Sequence, residues 1–252
     1  MLATITVSGQ TCTIDLNQPL DISIPLRHGA QNPNCFHAPM PEIWPVRAGD
    51  FVGLVTEGSP VNFRNLRVNP HGNGTHTECV GHITREPFTI NQCLQKFHFP
   101  AKLVSIYPEK TVKGDRVITR SGIQDALQQD VPPAVIVRTQ PNDQWKMRTN
   151  YSGANPPYFL AEAIEWLVGQ GVEHLLTDLP SVDREEDGGA LPAHRAFWCY
   201  PEQTRTGATI TELIFVPDEV PDGRYVLNLQ ICSLEMDASP SKPVLYALKT
   251  IP

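Results

Sequence analysis

The chain has 252 residues, 40% of them hydrophobic and 19% charged, which describes a globular protein rather than a disordered or fibrous one. The 27 acidic residues outnumber the 20 basic ones, the formal charge is -7, and Lys and Arg nowhere cluster, so nucleic acid is not an expected partner. No apolar run reaches the roughly 18 residues of a membrane span, and the N-terminal stretch has no basic-then-apolar leader pattern, so the expectation is a cytoplasmic, membrane-free chain folded as one domain over 1–252.

Residues 2–24 alternate apolar and polar as strands do, with a hairpin turn at Ser8, Gly9 and Gln10. From 25 to 60 the text is rich in proline and irregular, and it reads as a long surface excursion carrying His28, His37 and Trp44. Strands are expected at 99–108 (FPAKLVSIYP) and 115–119 (DRVIT). Ser121 is expected to cap a helix over 122–129. The run PAVIVRTQ at 133–140 has the continuous apolar character of a strand buried on both faces.

A helix is predicted to open at Asn155-Pro156-Pro157, because Leu160, Ala163, Ile164, Leu167 and Val168 recur at the helical period, and Gly169 and Gly171 stop it. VEHLLTDL then reads as a strand, making 134–179 a βαβ unit with parallel strands and a right-handed crossover. Ligands of such units gather beyond the carboxyl ends of the strands, which brings Asp178, Ser181 and Asp183 into consideration. A short helix at 193–200 and strands in TITELIFV, RYVLNLQI and PVLYALK complete an α/β chain, a mixed β-sheet with packed helices. The 6 cysteines stand at wide spacings without a CxxC pair and read as reduced thiols.

Three of the 8 histidines fall in NPHGNGTHTECVGHI, at His71, His76 and His82, with Glu78 between the last two. If the chain is extended from His76 onward, positions 76, 78 and 82 share parity and project from one face. Two imidazoles and a carboxylate on one face are a donor set for a divalent metal. The plainer alternative is a row of hydrogen-bonded polar groups on a wet sheet face. A thiol hydrolase built on Cys79 is disfavoured, since its odd parity turns it away from both histidines.

In these residues the chain resembles the metal-dependent cyclase and arylformamidase family, which includes bacterial kynurenine formamidases and isatin hydrolases. The family signature is H-x-G-T-H-x-D-x-P-x-H; Gly74, Thr75, His76 and His82 match it, and Glu78 stands in for the Asp. Further blocks follow in family order: LDISIPL at 20–26, IWPVRAGD at 43–50, DLPSVD at 178–183, PAHR at 192–195, TELI at 211–214 and DASP at 237–240. The resemblance implies a swivelling β/β/α domain and hydrolysis of small amides, formamides or lactams, with N-formylkynurenine-like arylformamides as the substrate class. It implies one or two ions of zinc or manganese, held by His76 and Glu78 and, for a second ion, by His194 and Glu212, with Glu78 able to bridge them. His82 would act in proton transfer, Trp44 would wall an aromatic substrate pocket, and Ser181 and Asp183 would hold a ligand histidine or meet substrate. It also implies a homodimer or homotetramer.

This sequence departs from the pattern at three places. The family's first ligand falls at position 72, which is Gly here, with His71 one residue early, so either the loop brings His71 in or one ligand is lost. The family's Asp is Glu78 and its Pro is Val80. A non-catalytic binding protein that keeps the fold is therefore the competing expectation.

Overall fold

The computed structural model describes residues 1–7 and 9–250. Four strands, His98–Ile106, Ala134–Thr139, His174–Thr177 and Thr209–Glu212, run parallel in that spatial order. Each is reached from the one before by a segment carrying a helix: Arg120–Leu127, Ala161–Gly169 and Pro192–Trp198. This is the βαβ repeat that the apolar patterning predicts.

Antiparallel strands close the sheet. His76–Glu78 pairs with Thr209–Glu212, Ala238–Ala247 pairs with the other side of His76–Glu78, and Gly223–Ile231 pairs with both Ala238–Ala247 and His98–Ile106. The ring so formed is a mixed barrel, with Leu20–Asp21 attached outside it along Ala238–Ala247. The N-terminal strands Leu2–Val7 and Gln10–Asp15 form a separate small sheet with Lys249–Thr250. The turn residue Ser8 lies outside the described residues.

Strand alternation splits the core in two. Val135 and Val137 face the helices, packing with Ile123, Leu127, Ile164, Leu167 and Phe197, while Ala134 and Ile136 face the barrel interior with Leu103, Leu176, Leu227 and Leu245. All six residues of Ala134–Thr139 are buried, which is why that run reads as continuously apolar. No helix among the described residues is long and apolar enough to cross a membrane, and all six cysteines are free.

Three local expectations change. Thr119, not Ser121, caps the helix Arg120–Leu127, its hydroxyl accepting from Gly122 N at 3.1 Å. The next helix starts at Ala161 rather than at the prolines, because Tyr158–Phe159 is drawn into a short parallel strand beside Arg116–Ile118, with Leu160 N donating to Ile118 O. The excursion at 25–60 is not bare loop: Glu42–Pro45 pairs with Arg64–Arg67, and Arg47–Ala48 with Phe51–Val52.

Candidate metal centre

Because the four parallel strands point the same way, their carboxyl ends share one end of the barrel. Glu212 is the last residue of its strand, and His76 is its partner on the antiparallel neighbour. Beyond the strand His174–Thr177 the chain runs through Ser181 and Asp183 to the helix that carries His194.

His71 enters by a helical turn. Pro70 occupies the first helical position of Pro70–Asn73, and the Asn69 side chain accepts from Gly72 N at 3.0 Å. A Cβ at Gly72 would collide with the Ala38 Cβ and stand 3.1 Å from the Cys35 carbonyl oxygen, so this turn has no room for a side chain at 72. His71 lies in the cluster instead, Nδ1 3.2 Å from Glu78 Oε2 and Nε2 2.9 Å from Asp237 Oδ2.

The expected extended run from 76 to 82 does not form. Only His76–Glu78 is strand; Val80–His82 is a 3-10 turn, with His82 N donating to Cys79 O at 3.0 Å. His82 nevertheless reaches the cluster by that turn, its ring stacked on His71 with centroids 4.3 Å apart. Its Nδ1 is 3.3 Å from Asp237 Oδ2 and its Nε2 3.8 Å from Glu78 Oε2.

Hydrogen bonds set which imidazole nitrogens are free. His76 Nδ1 lies 3.0 Å from the Gly74 carbonyl, which can only accept, so Nδ1 carries the proton and Nε2 presents a lone pair. His194 Nδ1 is held 2.6 Å from Asp183 Oδ2 in the same way, and its Nε2 lies 3.1 Å from Glu78 Oε1. Glu212 Oε1 accepts from Val182 N at 2.9 Å, leaving Oε2 3.5 Å from His76 Nε2.

Two buried atoms here have no hydrogen-bond partner, His76 Nε2 and Glu78 Oε2. Buried polar groups are otherwise nearly always satisfied, and leaving one unpaired costs about 1–3 kcal/mol. A nitrogen lone pair and a carboxylate oxygen, both orphaned in one place, fit a divalent cation. Ligand-type atoms of His71, His76 and Glu78 all lie within 4.8 Å of one another, as do those of Glu78, His82 and His194, and those of His71, His82 and Asp237. Glu78 belongs to two of these groups.

The electrostatics agree. Burial opposes a charge on His71, but the neighbouring Asp237 and Glu78 carboxylates hold its pKa up at about 10. His194 is likewise opposed by burial and held at about 10 by Asp183 and Glu78. Burial works against the Glu78 carboxylate too, yet His82, His194 and His71 keep it well below the usual range. Hydrogen bonds from His71 and then His82 depress Asp237. In the metal-free protein, protons thus supply the positive charge that these carboxylates demand.

A cavity of about 310 Å³ opens over the cluster, lined by His71, His82, His194, Glu212, Phe36 and Ser181, with Arg184, Glu185 and Asp187 at its side. Phe36 and His37 both have positive φ, 57° and 54°, a strained pair held in part by His37 N donating to Ser152 Oγ.

Trp44, expected to wall the pocket, is placed elsewhere, and Asp183 takes the first of its two expected roles, holding a histidine of the cluster. Trp44 sits on the strand pair Glu42–Pro45/Arg64–Arg67 under the Arg67 guanidinium, 5.7 Å from its ring centroid, and is not part of the cavity lining. Asp183 has both carboxylate oxygens engaged: Ala193 N at 2.7 Å, His194 N at 3.0 Å and the His194 ring. It orients the helix and the imidazole. Cys79 is fully buried, and its hydrogen bond to Cys93 together with burial pushes the thiol far up, which removes it as a nucleophile. Asp237 was not anticipated as a site residue; the DASP block marks its place in the chain but not its contact with two histidines.

The family model described as "Putative cyclase" matches residues 14–184. This chain belongs to the cyclase family. Among relatives of this cyclase-family enzyme, it is 28% identical over 197 residues to the kynurenine formamidase of Erythrobacter litoralis, covering 76% of this chain and 80% of that one. In fold it is similar to a predicted metal-dependent hydrolase from Bacillus stearothermophilus, with a TM-score of 0.64 at 18% identity over 91% of this chain and 98% of the other. It is also similar to isatin hydrolase A from Ralstonia solanacearum, with a TM-score of 0.62 at 15% identity over 91% and 92% of the two chains. The family match ends before His194, Glu212 and Asp237, so the placement of those three rests on the barrel geometry.

Proposed function

We propose that this cyclase-family chain is a metal-dependent hydrolase of C–N bonds in small amides, formamides or lactams, with N-formylkynurenine-type arylformamides as the first class to test. The observation that carries the reading is the pair of orphaned buried atoms, His76 Nε2 and Glu78 Oε2, on two residues whose ligand-type atoms gather with one from His71 within 4.8 Å. In this reading His71, His76 and Glu78 would hold a zinc or manganese ion, and Glu78, His194 and Glu212 would hold a second. Once bound, such an ion supplies Lewis acidity to a carbonyl oxygen and to water.

The chain's own residues do the rest. Asp183 and Gly74 O engage Nδ1 of His194 and His76, so Nε2 is the nitrogen that each ring would give to an ion. The ionised Asp237 accepts from His82 Nδ1, so His82 Nε2 is free to take a proton and return it to the leaving nitrogen. Its ring is only partly buried and borders the cavity, where a substrate atom can come within reach. Phe36 and Leu191 give the cavity apolar walls that exclude water and suit an aromatic substrate. We further read 1–252 as one domain acting in the cytoplasm as a homodimer or homotetramer; exposed Val55, Val61, Phe63 and Leu66 favour self-association.

The test is metal content per chain by elemental mass spectrometry, before and after chelation and re-addition of zinc or manganese, joined to a hydrolysis screen of arylformamides and lactams. Stoichiometric exchangeable metal with metal-dependent turnover is the expected result. A chain that takes up metal and turns over none of these substrates would favour the binding-protein alternative, and one that takes up no metal would overturn the reading.

A further inference from the structure

A second cavity, about 340 Å³, lies at the opposite end of the barrel, where the parallel strands begin; His174, Phe99 and Ala208 mark it as the amino-end floor. A volume of this size accommodates a small-molecule ligand. It shares no residue with the cavity over the histidine cluster.

Its floor is an aromatic pair. The His174 and Phe99 rings stand 3.9 Å apart at 43°, and His174 is only 3% exposed. His174 Nδ1 is bonded to Thr209 Oγ1 at 2.8 Å, while its Nε2 has no hydrogen-bond partner among the described residues. A nine-tenths buried imidazole with one open nitrogen on a cavity wall is a polar anchor awaiting a partner.

The charges around it are unbalanced. Arg205 is half-buried; its guanidinium donates to the Phe197 and Val172 carbonyls and has no carboxylate within ion-pair distance among the described residues. Lys96 on the same lining has none either. Glu173 is the single acid of the lining. Burial and the Arg205 charge hold His174 down at about 4, so the imidazole is neutral near pH 7 and the lining carries two cations against one anion. That balance suits a monoanion.

We propose that this cavity binds a small aromatic monocarboxylate, its ring against Phe99 and His174 and its carboxylate toward Arg205 and Lys96. The aromatic floor selects the planar body, and a half-buried guanidinium that meets two carbonyls but no carboxylate among the described residues selects the anion. The site is independent of the reaction proposed above, since it uses none of the same residues. Its occupant would nevertheless rest against the start of the strand that carries both Thr209 and Glu212.

The test uses benzoate as the probe, titrated into the metal-loaded protein and followed by amide shifts in heteronuclear NMR. Saturable shifts at Gln95, Lys96 and Gly207 are expected. A Cβ at Gly207 meets nothing within 4 Å, so Gly207→Phe plugs the cavity without disturbing the packed chain and should weaken benzoate about tenfold or more. Lys96→Gln, at an exposed position, should weaken it severalfold and covers the case in which the bulky variant fails to fold. Shifts confined to residues 184–191 around the other cavity, or affinities unchanged in both variants, would overturn the proposal. Inorganic phosphate binding as tightly as benzoate would overturn its aromatic part.

Discussion

Asp183→Asn is the sharpest probe of how the cluster is held. The carboxylate accepts three hydrogen bonds, from Ala193 N, His194 N and His194 Nδ1, and only an acceptor satisfies all three. An amide nitrogen at either oxygen position faces a backbone N–H of the helix Pro192–Trp198, so at least one buried donor is left unpaired. That costs about 1–3 kcal/mol, and the loss of the charged acceptor adds roughly 1 kcal/mol. For a chain of this length a total of about 2–4 kcal/mol lowers Tm by roughly 4–16 °C.

The chemical effect is larger than the thermal one. If the amide donates to His194 Nδ1, that nitrogen becomes the acceptor and Nε2 must keep the proton it gives to Glu78, so it can no longer offer a lone pair to an ion. Losing such an outer hydrogen bond typically costs about 10–100-fold in metal affinity. Thermal unfolding with and without metal, together with competitive chelator titration, reads both numbers. A variant whose Tm stays within about 1 °C and whose metal affinity is unchanged would refute the reasoning, since neither the cap nor the tautomer would then depend on the carboxylate.

His82→Ala should lower turnover by about 10²–10⁴-fold while leaving metal content intact; loss of the metal in that variant would assign His82 to holding the ion instead. Gly72→Ala forces a Cβ onto Ala38 and should destabilise by about 1–3 kcal/mol, with metal content falling because the turn that presents His71 must shift; both are read by denaturant unfolding and elemental analysis. His174 gives a pH signature. Its pKa falls from 6.5 to about 4 on folding, so between those values the unfolded chain binds a proton that the folded chain does not. Its contribution is therefore fully present above pH 6.5 and is lost as pH falls toward about 4, a total of about 3 kcal/mol that His174→Gln should remove from the urea-unfolding profile.

Legibility from the sequence followed the range of the interactions. The unit from Ala134 to Leu179 was readable because a doubly buried strand and a helix with one apolar stripe each leave a period in the text. His76 and Glu78 were correctly put on one face by parity, but His82 arrives for a different reason, a turn around Gly81 that alternation cannot express. Asp237 was opaque because its partners His71 and His82 lie more than 150 residues away, and only closure of the barrel brings them together. Trp44 looked like a cavity wall from its place in a motif, whereas its actual neighbours are set by the pairing of Glu42–Pro45 with Arg64–Arg67.

Barrel closure also has a cost during synthesis. The hairpin Gly223–Ile231/Ala238–Ala247 that seals the ring comes late in chain order, and until it docks, His98–Ile106 and His76–Glu78 each present an open row of backbone donors and acceptors. Such edges recruit other strands, so the nascent chain is most prone to misassociate with its neighbours in the interval before those residues emerge. Asp237 immediately precedes the second sealing strand, so the same docking event that silences the edges also delivers the carboxylate to His71 and His82.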